Sequence, residues 1–124
     1  MKIIEAINKI DDLKFNAFSQ DQKVGWLSRL DSMVKTQIID THEGGENVRF
    51  TGYNSDTDPQ TELLVGAPFD EIYLRWMEAQ IDYYNGEIKK YNISMSMFNT
   101  EYEAFENWYR RNHKPKGSGQ RFIF

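Results

Sequence analysis

The chain has no cysteine in its 124 residues. That excludes disulfides, thiolate chemistry and zinc sites built on cysteine. Histidine is nearly absent too: His42 and His113 stand far apart, and no metal site is expected. No apolar run approaches the roughly 18 residues that a membrane span needs. Met1-Lys2-Ile3-Ile4-Glu5 lacks the long apolar stretch and small-residue cleavage site of a signal peptide. A chain made in the cytosol, without a membrane partner, is expected.

Acidic charge is missing from one stretch. Arg110 to Phe124 carries five Lys/Arg and no Asp/Glu, whereas the rest holds ten Lys/Arg against nineteen Asp/Glu. An acidic body with a basic tail says more than the net charge of −4. The tail ends Phe122-Ile123-Phe124, and purely solvated tails seldom close on three large apolar residues. A docking tail is the expectation.

Constellations that carry chemistry are also lacking. His42-Glu43 is the one adjacent His–carboxylate pair, and it stands at a predicted helix end, where histidine also suits the dipole. Asn54-Ser55-Asp56-Thr57-Asp58 has neither the ligand spacing, the sixth-position glycine nor the closing glutamate of a calcium loop. Gly44-Gly45 is followed by no Lys-Ser/Thr and preceded by no strand, so it reads as a helix terminator and not a phosphate loop. No catalytic residue, cofactor or metal is expected, and the chain is not read as an enzyme.

What is present is a core-forming composition: 40% hydrophobic and 15% aromatic, with most aromatics after Pro68. The length fits one domain. Ile3, Ile4, Ile7, Ile10 and Leu13 give one apolar helix face, predicting a helix over about 2–13. Ser19 with Gln22 forms a capping box that opens a second helix. Val24, Leu27, Leu30 and Ile38 continue it toward Thr41-His42, with Gly25 as its weak point. Between His42 and Ala67 the pattern is not helical. Asn47–Thr51 and Thr61–Val65 are candidate strands of a small β-hairpin or projecting arm (loop 43–67). Pro68 suits the first turn of a third helix.

From there the apolar spacing is unusually regular. Leu74, Met77, Ile81, Tyr84, Ile88, Tyr91, Met95, Phe98, Tyr102, Phe105 and Tyr109 alternate by three and four. A second stripe, including Phe69, Ile72, Tyr73, Trp76 and Tyr83, covers another face. One unbroken helix over 69–112 would be roughly 65 Å long, too long for a compact domain of this size. Asn85-Gly86 and Asn92-Ile93-Ser94 are the candidate breaks. Two helices, about 69–90 and 94–112, stacked as a hairpin against the second helix, are expected. The fold class is therefore mainly α. A small bundle of three to four helices spans 1–112, followed by an extended C-terminal tail over 113–124.

Trp26-Leu27-Ser28-Arg29-Leu30-Asp31, Ile38-Ile39-Asp40-Thr41-His42 and Leu63-Leu64-Val65 ahead of Ala67-Pro68 are one set of distinctive stretches. Asp70-Glu71-Ile72-Tyr73 and Glu78-Ala79-Gln80-Ile81-Asp82-Tyr83-Tyr84-Asn85-Gly86-Glu87 are another. With Lys90-Tyr91-Asn92, Met97-Phe98-Asn99, Tyr109-Arg110 and Pro115-Lys116-Gly117, the chain resembles head–tail connector proteins, also called adaptor or head-completion proteins, of phages and prophages of Gram-positive bacteria. The likeness runs over nearly the whole chain. It implies a small helical protein of the virion that docks on the portal protein, extends the DNA channel and links capsid to tail. Implied partners are the portal, neighbouring copies in a ring (dodecameric by family analogy), a tail or stopper protein, and DNA passing without sequence-specific contact.

By the same resemblance the portal-docking tail would use Arg110, Arg111, Lys114, Lys116 and Arg121, with Phe122 and Phe124 as anchors. Arg49, Phe50 and Tyr53 of the loop, with Trp76 and Tyr83 of the third helix, would meet a neighbouring subunit or the next ring. The other reading is a phage-encoded regulatory or assembly protein that binds a host or phage protein.

Overall fold

A computed structural model describes residues 1–116. They fold as four α-helices: α1 (Ile3–Leu13), α2 (Gln20–Val34), α3 (Ile72–Tyr84) and α4 (Ile88–Asn112). The mainly helical class is as the apolar periodicities predict.

α1 buries Ile3, Ala6, Ile7 and Ile10 on one face. α2 begins as its capping box requires. The Gln22 backbone N–H donates to Ser19 Oγ at 3.1 Å, and the Ser19 N–H donates to Gln22 Oε1 at 3.0 Å. Val34 is followed by a π-helical turn, Lys35–Ile39, in which the Asp40 N–H reaches back five residues to the Lys35 carbonyl. The wider turn keeps Ile38 and Ile39 buried. Gly45 then passes so close to this turn that a Cβ there would overlap the Ile39 carbonyl oxygen. Only glycine fits.

α3 and α4 form the expected hairpin, but its corner differs. The break falls at Asn85-Gly86-Glu87. Gly86 has φ of +75°, and the Glu87 and Gly86 N–H groups donate to the Asp82 and Tyr83 carbonyls. This left-handed closure with paired back-bonds ends α3. The predicted break at Asn92-Ile93-Ser94 is absent. That segment stays helical because α4 packs on α3 there: Ser94 is buried, and its hydroxyl donates to Asp82 Oδ2 at 2.9 Å. α4 therefore starts at Ile88, not 94. The heptad runs through the corner because each helix contributes its own inner seam. At the corner the seam surfaces, with Tyr84 and Ile88 about half exposed. Pro68 lies in the turns ahead of α3 and not in its first turn, since α3 starts at Ile72.

The central segment does not project as an arm. Among the described residues it forms no strand, only a single bridge from Glu62 to Lys2. Its backbone groups are used elsewhere. The Thr61 and Pro59 carbonyls accept from the Ile3 and Ile4 N–H groups, which α1 cannot satisfy internally. Leu63 and Val65 are buried in the core. A hairpin would have needed those same groups for a ladder.

One core joins all four helices and this segment. Leu27, Leu30, Val34 and Ile38 from α2 and its π turn meet Ile72, Tyr73, Met77 and Ile81 from α3. Phe98, Phe105 and Tyr109 close it from α4. Beyond α4, residues 114–116 lie antiparallel to 41–43: the Glu43 N–H donates to the Lys114 carbonyl and the Lys116 N–H to the Thr41 carbonyl.

Candidate functional site

The residues expected at contacts fall into three separate places. The first is the basic end of α4. Arg110, Arg111, Lys114 and Lys116 are all exposed there. Arg110 pairs with Glu106 one turn back at 2.9 Å, and Lys116 lies 3.5 Å from Glu46. Among the described residues, Arg111 and Lys114 have no acidic partner. The pairing of 114–116 with 41–43 ties the segment after α4 back to the end of the π turn. The end of that pairing is closed by rings: Tyr109 stacks on His113 at 3.8 Å and meets His42 edge-on at 5.3 Å. His42 is buried, with Nδ1 2.6 Å from the Ile38 carbonyl oxygen, so it serves the helix end. Arg121, Phe122 and Phe124 lie outside the described residues.

The second place is a shallow hollow in the central segment, lined in part by Arg49, Phe50 and Tyr53. Phe50 and Tyr53 meet edge-on at 5.1 Å. Tyr53 is anchored to the helices. Its N–H donates to Ser28 Oγ at 2.9 Å, and its hydroxyl donates to Asp31 Oδ2 at 2.6 Å.

Asp31 is the hub of that anchoring and is fully buried. The Tyr73 hydroxyl donates to its Oδ1 at 2.7 Å, and the Leu64 N–H donates to its Oδ2 at 3.1 Å. Tyr73 in turn accepts from the Val65 N–H at 2.8 Å. Burial pushes the Asp31 carboxyl above its ordinary value, against the pull of the two hydroxyls and the Leu64 N–H. Burial, with the adjacent Asp31 charge, pushes both tyrosine hydroxyls well above the usual tyrosine range, so they remain donors. The arrangement is a buried acceptor, taking three donors, that binds a strandless segment to α2 and α3. Sequence reading passed over Asp31, although it sits in register with Val24, Leu27, Val34 and Ile38 on the buried face of α2. A carboxylate inside an apolar stripe was the available signal.

The third place is a groove of roughly 360 Å³ where α2, α3 and α4 meet. Trp76 and Tyr83 both line it. Trp76, expected at an intersubunit contact, is instead mostly core: it is 6% exposed, and its indole N–H donates to the Trp26 carbonyl at 2.9 Å. Only an edge reaches the groove. Tyr83 is 53% exposed and keeps a free face. Around them stand Arg29 and Gln80, with Tyr84, Tyr91 and Met95 of the regular apolar seam.

Compared with protein families, curated proteins and solved structures, the chain matches none.

Other charged groups are spent on packing. Asp82 is wholly buried and faces Lys14 Nζ at 2.5 Å, tying the end of α1 to the end of α3. Lys23 is buried against Asp11 at 2.6 Å, tying α2 to α1. Burial works against the Asp11 charge, but Lys23 and Asn16 more than offset it and hold the carboxyl below its ordinary value. No group of three or more His, Cys, Asp or Glu side chains converges among the described residues.

Proposed function

We propose that this chain is a structural connector of a phage virion, docking on the portal, extending the DNA channel and joining capsid to tail. The observation that carries the reading is the basic end of α4. Arg110 and Arg111 in the last turn of α4 and Lys114 and Lys116 just beyond it are exposed at one end of the bundle, Arg110 beside Glu106 and Lys116 beside Glu46, and the backbone of 114–116 is clamped to 41–43. A clamp of this kind gives a docking extension a fixed origin, which lowers the ordering cost of binding. The whole-chain resemblance to head–tail connectors supports the same reading.

The partners that follow are the portal, neighbouring copies in a ring, a tail or stopper protein, and DNA contacted without sequence preference. Trp76 is withdrawn as a principal intersubunit contact. Arg49, Phe50 and Tyr83 remain as surface contacts. Tyr53 acts through its hold on the segment that presents Arg49 and Phe50.

The test is electron microscopy of particles from an induced lysogen lacking the gene. Filled or leaking heads beside free, complete tails are expected. Normal, infectious particles would remove the connector reading in favour of a phage-encoded regulatory or assembly protein. A chain shortened by residues 117–124 should keep its helical content and lose binding to purified portal rings.

A further inference from the structure

A cleft lies between the turns ahead of α3 and the second half of α4. It measures roughly 130 Å³ and is lined by Pro68, Phe69, Glu71, Glu101 and Ala104. A space of that order takes one aromatic ring. Phe69 forms the apolar wall, packed on Phe105 at 5.8 Å and on the exposed Trp108 at 5.3 Å. The rim is acidic. Arg75 is divided between Glu78 at 3.1 Å and Glu101 at 3.6 Å. Glu71 has no ion pair among the described residues, and Glu101 Oε2 has no hydrogen-bond donor among them.

We infer that residues 117–124 of the same chain fold back onto this cleft, with Phe122 in it, Phe124 over Trp108 and Arg121 at the acidic rim. The described chain ends close by. Residues 114–116 lie against 41–43, the His42 ring meets Tyr109 at 5.3 Å, and Tyr109 lies 6.4 Å from Trp108. Three ring contacts thus lead from the last described residues to Phe69. Phe122 stands six residues beyond Lys116, a reach of up to roughly 20 Å. Gly117 and Gly119 permit a reversal of direction. Phe122 and Phe124 fall on one face of an extended segment. Arg121 is the one charged side chain among these residues, and its planar fork suits a carboxylate.

Other occupants fit less well. A nucleic-acid strand or an acidic peptide meets like charge at the rim. The tail of a second copy carries the same groups, but a short tether holds the chain's own tail at an effective concentration on the order of millimolar. The inference stands apart from the connector reading. If both hold, docking on the portal must first release the tail.

The chain has no cysteine, so Gln120→Cys places a single nitroxide label beside Arg121 in the full-length protein. NMR then reads paramagnetic broadening at the Trp108 indole N–H and the Ala104 amide. Both signals should vanish in the labelled protein and return when the nitroxide is reduced. Adding Arg121→Glu, or Phe122→Ser together with Phe124→Ser, should restore both signals while helical content by circular dichroism stays unchanged. Sharp signals in the labelled parent overturn the inference. So does broadening that survives both sets of tail changes, since tethering alone then explains it. Ala104→Lys, an exposed change, should restore the indole signal in the same way, and an indole still broadened places the tail elsewhere and overturns the inference. A last sample mixes isotope-enriched, unlabelled protein with spin-labelled, unenriched protein. Its signals should stay sharp, and broadening there overturns the inference in favour of tails exchanged between copies.

Discussion

The Tyr53 hydroxyl donates to Asp31 Oδ2 at 2.6 Å across 22 positions of sequence, joining a segment without regular structure to the middle of α2. Tyr73 completes the carboxylate from α3. Removing the Tyr53 hydroxyl with Tyr53→Phe should cost about 1.5–3 kcal/mol, as for a hydrogen bond to a charged group. Asp31→Leu should cost more, because two hydroxyls and the Leu64 N–H lose their acceptor together. Urea unfolding measures both, and hydrogen exchange at the Leu64 amide should quicken in each variant. Equal stability of Tyr53→Phe and the parent would mean that the segment is held by its apolar side chains alone.

Asp31 and Asp11 should impose opposite pH dependences. The Asp31 carboxyl is raised in the folded chain above the ordinary 3.8. Its contribution is therefore fully present below 3.8 and is lost as pH rises through the folded value. Asp11 is lowered from 3.8, so its contribution is present above 3.8 and lost as pH falls through the folded value. Comparing unfolding free energies of the parent with Asp31→Asn from pH 3 to 8 isolates the first effect. The parent should lose stability relative to Asp31→Asn as pH rises from about 4. A difference that stays flat would show that burial does not shift the carboxyl.

Two glycines should respond oppositely to alanine. Gly25 is exposed inside α2, and a Cβ there meets nothing within 4 Å. Gly25→Ala should stabilise by roughly 0.5–1 kcal/mol through helix propensity. Gly45→Ala forces a Cβ onto the Ile39 carbonyl and should destabilise by about 1–3 kcal/mol. Thermal midpoints measure both. A neutral Gly45→Ala would show that the turn after the π segment yields freely.

Much of the fold was legible because it is local. Ser19 and Gln22 lie one turn apart, so their capping box can be read without knowing what α2 packs against. Gly86, whose left-handed backbone suits glycine, was one of two candidate corners between α3 and α4, and the other was the one preferred. Asn92-Ile93-Ser94 misled because its polar residues resemble a break. Only the neighbouring Asp82 reveals Ser94 as an interior partner. Trp76 misled in the other direction: its stripe implied a contact outside the chain, and Trp76 itself is covered by Trp26 and Phe98 of this chain.

The sequence by itself determined the helical class, the starts of α1 and α2 and the separation of a basic end from an acidic body. Each follows from spacing, capping or composition within a few residues. The tertiary structure decided that residues 48–66 lie down on the bundle without forming strands. It also decided that Asp31 is their anchor, and that Arg29, Gln80 and three tyrosines share a groove. Those arrangements depend on side chains tens of residues apart. A buried polar group is stable only where distant partners supply its hydrogen bonds, and no local pattern records which partners will arrive.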